Sequence, residues 1–504
     1  MRNKAAVLLF LMLCYGTAPA QFRDKEWQIS LSGYSINPAI PTNALYVTPL
    51  GVDTFSLIRP LSFTNDNHGI CDTSGNLLFY TNGIWIANRL HDTLWNSVNF
   101  NPGYASTNYS PWGMPYMQYV LILPNSDSSH LYYIFNQCAD TYLPINIRVP
   151  SHLGYSVIDM NLDGGLGGIT AIKDSTLFSD TLNNGHMTAC KHGNGRDWWV
   201  ITHKYNSNIR HKILVTPQGP QLHSTQAIGQ NTPDILDWYG QACFSPDGSK
   251  YALVLARTQS VELFDFDRCT GELSNPRFVF INDSTPGFLG CSFSPDSRFL
   301  YASDERYCYQ FDTFSPNIDS SKQLVAVYDG YVATFQTKFF YHQLAADGKI
   351  LISTAGGDSV LHRINQPDSI GTACDFQQHC IKLSYYANLS LNNFPSYNLG
   401  PLTGSVCDTL TSVNETIKNT PLQLKVFPNP VTTQEFNIEY TLEQNQPGFL
   451  EIREITGKAV YTIRLPQWST RQTLRLPKLA SGVYLVTLQS GSKRAMSKFV
   501  KMEE

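Results

Sequence analysis

Between His68 and Thr354 the chain alternates short apolar runs with clusters of Asp, Asn, Pro, Ser and Gly. Phe244-Ser245-Pro246-Asp247-Gly248 precedes the run from Lys250 to Ala256. Phe293-Ser294-Pro295-Asp296-Ser297 precedes Arg298 to Ser303, and Leu344-Ala345-Ala346-Asp347-Gly348 precedes Lys349 to Thr354. Looser copies lie upstream at Cys71 to Gly75, Pro124 to Ser128 and Lys191 to Gly195. Proline presets φ, and Asp, Asn and Gly tolerate the left-handed positions of a tight turn. The flanking runs are rich in β-branched and aromatic residues, so each copy predicts strand, turn, strand. Copies recur about every 50 residues, with one gap of about 65, which is room for the four short strands of one propeller blade. Residues 27–63, together with 376–397, are expected to complete a seventh blade shared between the two ends of the region. Such closure removes free sheet edges.

The pattern changes near the end of the chain. A polar stretch rich in Thr, Ser and Asn, residues 406–422, reads as a linker. After it come seven short strand-like runs: Leu424 to Phe427, Phe436 to Tyr440, Phe449 to Ile455, Val460 to Leu465, Gln472 to Leu476, Val483 to Gln489 and Ala495 to Val500. Gly457-Lys458 sits between two of them as a hairpin turn. Seven short strands in so small a module suggest a β-sandwich. The fold class is therefore all-β: a β-propeller, taken as seven-bladed, followed by a small C-terminal immunoglobulin-like β-sandwich. The boundaries drawn are 1–20 for a signal peptide, 21–405 for the propeller, 406–422 for the linker and 423–504 for the C-terminal domain.

Composition narrows the setting. The 504 residues carry 36 Lys+Arg against 40 Asp+Glu, with only 15% charged residues and 42% hydrophobic ones. That content builds a large core and excludes disorder for most of the chain. The near-neutral balance argues against nucleic acid as a partner. The charge is uneven: residues 423–504 hold 11 Lys/Arg, 7 Glu and no Asp, leaving 25 basic and 33 acidic residues before them. At the N-terminus, Arg2 and Lys4 precede the apolar run Ala5 to Leu13, and Ala18-Pro19-Ala20 supplies small residues before Gln21. This reads as a secretory signal, too short to span a membrane. No other run is long enough for a transmembrane segment. Ten cysteines remain beyond Cys14, an even number that permits disulfides in an exported chain. Cys374 and Cys380 are the easiest local pair. Cys71, Cys190, Cys243 and Cys291 sit just before turn signals and read as small buried hydrophobes.

Two resemblances follow from these motifs. Phe-Ser-Pro-Asp-Gly before a strand resembles the Pro-Asp variant of WD-type propeller repeats. The wider pattern is similar to exported propellers of Bacteroidetes, carried here by Gly75 to Gly83, Tyr155 to Asn161, Phe264 to Gly271 and Asn393-Phe394-Pro395-Ser396-Tyr397. At the other end, Val426-Phe427-Pro428-Asn429-Pro430, Ile455-Thr456-Gly457-Lys458, Leu479 to Tyr484 and Lys498-Phe499-Val500-Lys501 resemble the type A sorting domain of the type IX secretion system. The resemblance implies a sorting motif at Pro428, Asn429, Pro430, Gly457 and Gly482. It also implies export across the outer membrane, with the secretion machinery and a sortase-like peptidase as partners. The cargo is then left on the cell surface or released.

Candidate chemistry is sparse. There is no GxSxG, HExxH, P-loop or dinucleotide fingerprint, the histidines are scattered, and no cofactor is expected. Asp159, Asn161 and Asp163 match the first half of a calcium loop, but Thr170 stands where the bidentate Glu belongs, so a Gly-rich hairpin explains the run better. Asp247, Asp296 and Asp347 read as turn-bonding groups. Aligning the repeat on its turn glycine places His68, Leu121, Thr188, Gln241, Gly290 and Tyr341 at one equivalent position. If each precedes the turn on an innermost strand, they ring one mouth of the central channel, and His68, Thr188, Gln241 and Tyr341 would hydrogen-bond a polar ligand such as a sugar. Trp112 and Trp238 are candidate stacking surfaces for glycans.

The reading is a secreted or cell-surface propeller cargo, a non-enzymatic binding or adhesion module meeting an extracellular glycan or protein. The alternatives are a secreted glycan-active enzyme, glycosidase or lyase, and a structural component of a surface layer or motility apparatus.

Overall fold

The structure is a computed structural model. It describes residues 22–408 and 422–502, apart from 30–41, 50, 60, 111, 144–146, 232–239, 257, 282–288, 388, 390, 443–446, 467–468, 470, 477–478 and 491–492. The expected signal peptide, most of the expected linker and Trp238 lie outside the described residues. The chain divides into two compact units, Met1–Thr411 and Ser412–Glu504.

Among the described residues the first unit holds eight antiparallel sheets: seven blades that follow one another along the chain, and a two-stranded hairpin of Ala139–Leu143 and Ile147–Pro150. Blade 1 has three strands, Glu26–Ile29, Thr42–Thr48 and Gly51–Leu57, and blade 2 has His68–Cys71, Leu77–Thr81 and Ile86–Asn88. Blade 3 is built on Val120–Pro124, Leu131–Asn136 and His152–Asp159, with Gly168–Ile169 and Ser175–Ser179 both pairing with the last of these. Blades 4 to 7 are four-stranded meanders whose first strands are Thr188–Lys191, Ala242–Phe244, Gly290–Phe293 and Phe339–Leu344.

The turn chemistry expected from the repeat is present. Asp247 Oδ1 accepts the Ser249 N–H and the Ser245 hydroxyl, and Asp296 Oδ1 accepts those of Arg298 and Ser294. Asp72, Asn125, Asn194 and Asp347 bond the backbone two residues on in the same way. These side chains close the turn locally and free the flanking residues for ladder pairing. Gly248 takes φ +72°, and a Cβ there would lie 2.7 Å from the Cys190 sulfur.

The blades pack face to face in a ring. Trp199 and Ile201 of blade 4 meet Tyr251 and Leu253 of blade 5. Val254 and Leu263 of blade 5 meet Cys291 and Leu300 of blade 6, and Tyr301 of blade 6 meets Phe339 and Ile350 of blade 7. One continuous cluster joins Leu351 and Leu361 of blade 7 to Trp27, Ile70, Ile122 and Val200 of blades 1 to 4. A fully buried Arg210–Glu262 ion pair at 2.7 Å ties blade 4 to blade 5.

Two expectations are corrected. The ends do not share a blade: Phe376–Lys382 pairs with Val360–Ile364 inside blade 7, and blade 1 forms its own sheet. The ends meet through the Asn43 side chain, whose amide bonds the Tyr385 backbone in both directions. Blade 1 also enters reversed, since the Cys71 N–H donates to Arg23 O while Gly69 faces Glu26 O. Cys374 and Cys380 are unpaired, because a tight turn buries Cys374 in the core between blades 6 and 7 while Cys380 packs on the other cluster. The disulfide is Cys269–Cys407, spanning 138 residues. Cys71, Cys190 and Cys291 are buried thiols on innermost strands, and Cys243 is half-buried.

The second unit holds the seven expected strands in two sheets. Leu424–Phe427, Glu435–Tyr440 and Arg471–Arg475 form one; Ala459–Leu465, Gly448–Glu454, Gly482–Ser490 and Lys493–Lys501 form the other, in that order. Val426, Ile438, Leu450, Ile452, Val486 and Phe499 fill the space between them.

Candidate functional site

The first strand of each of blades 2 to 7 runs from an entry face toward the face that carries the repeat turns. At the entry face the channel is bridged by side-chain amides acting as backbone substitutes. Gln118 donates to Ala242 O at 2.8 Å and accepts the Ala242 N–H at 2.9 Å, spanning blades 3 and 5. Gln241 does the same to His342, at 2.6 and 3.1 Å, spanning blades 5 and 7.

The chain then threads this channel with its own downstream segment. Leu389 O accepts the Ser353 hydroxyl near the entry face. The Asn393 amide donates to Met187 O at 2.9 Å, and its oxygen accepts from Gln118 at 3.0 Å. Phe394 packs edge-on against Trp27 and His68. The Tyr397 hydroxyl donates to Ile122 O at 3.0 Å and lies 3.1 Å from His68 Nε2, which places the His68 proton on that nitrogen. Burial lowers the His68 pKa to about 3, so the ring is neutral. Beyond Tyr397 the segment emerges among the turns: Gly400 O accepts from Arg268 at 2.5 Å, and Leu402 N–H donates to Gly193 O at 2.7 Å. Cys407 is then fastened to Cys269, which lies in the turn before the last strand of blade 5.

From Leu391 to Tyr397 the segment packs on blades 1 to 4 and 7, and a cavity of about 280 Å³ remains beside it, open toward the turns. Thr188, Gln241, Ser292, His342 and Gln343 supply polar groups from the blades, and Asn393, Ser396 and Asn398 from the segment. Phe244, Phe293, Phe394 and Tyr397 supply aromatic wall. Asp24 is the sole carboxylate among the described residues that line it.

The structure thus brings Thr188 and Gln241 to the cavity. His68 and Tyr341 are buried and do not line it; His68 instead holds the threaded segment. Asp159, Asn161 and Asp163 lie in a hairpin where Asp159 Oδ1 accepts the Asn161 N–H at 2.8 Å. Among the described residues no three His, Cys, Asp or Glu side chains gather as a metal site. Asp24 was not visible as a candidate, because nothing local marks it. The threaded segment had a sequence signal, the aperiodic run Asn392 to Tyr397 after the last strand, but that run reads equally as part of a blade.

In the second unit, Asn429 donates to Lys498 O at 3.1 Å and accepts the Val500 N–H at 2.9 Å, anchoring its loop to the last strand. Pro428 and Pro430 flank it. Gly457, at φ +91°, closes the hairpin between Glu454 and Lys458. Gly482 opens a strand with free space where a Cβ would stand.

Residues 425–502 match the family described as the secretion system C-terminal sorting domain. No protein of curated function matches the chain in sequence. Among solved structures, a protein from Lactobacillus plantarum is similar at 12% identity and TM-score 0.44, over 73% of this chain and 98% of that one. A periplasmic gluconolactonase from Pseudomonas aeruginosa is similar at 11% identity and TM-score 0.41, over 73% and 100%. A putative 6-phosphogluconolactonase from Bacteroides fragilis is similar at 12% identity and TM-score 0.40, over 73% and 98%. At such distance the likeness says nothing about chemistry. No helix among the described residues is long and apolar enough to cross a membrane. The chain is a β-propeller that ends in a type IX secretion system C-terminal sorting domain, a module that implies export to the cell surface or beyond.

Proposed function

We propose that this protein is a secreted or surface-held binding module without catalytic activity, led through the inner membrane by residues 1–20 and sorted by its C-terminal domain. The observation that carries the reading is the cavity at the turn end of the channel. Its lining is dominated by neutral hydrogen-bonding and aromatic groups. Such a lining suits recognition of a polar, uncharged or weakly charged body such as an extracellular glycan. Glycoside hydrolysis in most families needs two carboxylates flanking the bond, and this cavity offers one, which favours binding over that chemistry. The test is a glycan array and pull-down with the full chain beside Ser396→Trp, which fills the cavity mouth, and a parallel assay for release of reducing ends. Binding lost in the variant supports the reading. An absence of any ligand counts against it, and release of reducing ends moves the assignment to a glycan-active enzyme.

A further inference from the structure

The carboxylates of the repeat turns are each met by donors from their own loop, as Asp72, Asp247 and Asp296 show. Asp24 differs. It lines the cavity and is half-buried: its Oδ1 is sealed from water with no hydrogen-bond partner, which leaves Oδ2 as the oxygen a ligand can reach. No Lys or Arg side chain is among the described residues that line the cavity. The other ionisable group there that titrates near neutrality, His342, is held neutral by burial, its pKa lowered to about 3. His342 Nδ1 is likewise buried without a partner, while its Nε2 meets the Ser303 hydroxyl at 2.7 Å. Burial raises the Asp24 carboxyl to about 6, so it is largely ionised at neutral pH while lacking a counter-charge.

An unpaired carboxylate removed from water is costly, and a donor bearing positive charge relieves that cost best. The same cavity is lined by the hydroxyls of Thr188, Ser292 and Ser396 and by Gln343, whose amide nitrogen donates to Leu344 O and Phe394 O; the set suits a molecule with several hydroxyl groups. Phe244 and Phe293 offer apolar faces of the kind that pack on a sugar ring. The volume, about 280 Å³, is at the lower end of ligand pockets and fits a body of monosaccharide size.

We propose that the cavity is a binding site for an amino sugar, free or at the end of a glycan, whose ammonium group docks on Asp24. This rests on the binding reading given above and names its ligand class. The ammonium supplies the counter-charge, and the sugar hydroxyls meet Thr188, Ser292, Ser396 and Gln343. N-acetylation removes the charge and adds bulk, so the acetylated sugar is discriminated against.

The test is calorimetric titration of the full chain near neutral pH with glucosamine, N-acetylglucosamine and glucose. Glucosamine is expected to bind at least about tenfold tighter than either of the others. Asp24→Asn, close to isosteric, is expected to abolish that preference while thermal unfolding shows the variant folded. Ser396→Trp is expected to abolish binding of all three without touching Asp24. Equal affinity for the three sugars, or a preference that survives Asp24→Asn, overturns the proposal. Binding of neutral glycans on the array that is lost in Ser396→Trp but unchanged in Asp24→Asn overturns the amine assignment and leaves the binding function standing. Absence of any ligand in both experiments overturns both.

Discussion

A carboxylate largely withdrawn from water, with one oxygen sealed and unpaired, is most comfortable when protonated or when a cation is brought to it, and Asp24 is in that position, with its own backbone N–H only partly offsetting the burial. Its pKa in the fold is about 6 against an ordinary 3.8. Ionisation is therefore unfavourable in the native state. The cost is absent below the ordinary value, grows as pH rises between the two, and is complete above the higher one. Taken at face value the difference is about 3 kcal/mol, and partial exposure of the residue reduces it to about 1–3 kcal/mol. Cys71 and Tyr397, which titrate near it, are pushed upward by burial and stay neutral across this range. Without ligand, Asp24→Asn should therefore raise the urea midpoint near neutral pH and leave it unchanged near pH 4. A variant destabilised at both pH values would mean that the carboxylate has a partner in solution. Tyr397 is the complementary case, a buried hydroxyl with two partners. Tyr397→Phe leaves Ile122 O and His68 Nε2 unsatisfied and should cost about 1–3 kcal/mol in urea unfolding. A double-mutant cycle with His68 should show coupling between the two.

At the scale of elements, the blades and the threaded segment are held by different means. The repeat hairpins close on their own Asp, Asn or Ser side chains, two to five residues away in sequence. The described residues of the segment from Leu389 to Cys407 have no strand pairing and depend on hydrogen bonds with blades up to 275 residues distant. Cys269–Cys407 locks its far end. Cross-linking so long a loop removes much freedom from the unfolded chain, by roughly 4–5 kcal/mol in the chain-entropy account. Cys407→Ser should therefore lower stability by up to that amount, and reduction of the native protein should reproduce the loss. If neither treatment shifts the unfolding midpoint, the threaded segment holds without its clasp.

At the scale of the molecule, the proposed function gives delivery to one unit and recognition to the other. The sorting domain is expected to act on where the protein goes and the propeller on what it meets there. Removal of residues 423–504 should leave the propeller able to fold, with its threaded segment and clasp intact, and should trap it in the periplasm. Surface-protease shaving with mass spectrometry checks this: the full chain should reach the surface or medium with the domain removed. Export that persists after truncation would show that this module is not what directs the protein outward.

The sequence by itself determined the repeating hairpins, since Asx and Gly turn chemistry and β-branched runs act within a few residues of each other. It determined the seven strands of the C-terminal domain for the same reason, and its terminal motifs pointed to sorting. Both are local properties that a linear pattern carries whole. The tertiary structure decided the rest. Only ring closure showed that blade 1 stands alone, that His68 holds Tyr397 rather than facing a channel, and that Cys407 finds Cys269 rather than Cys374 finding Cys380. Only threading set Asp24 in a cavity that no Lys or Arg lines among the described residues. These features join residues hundreds of positions apart, where no periodicity constrains the partner, and the geometry of the closed ring selects it.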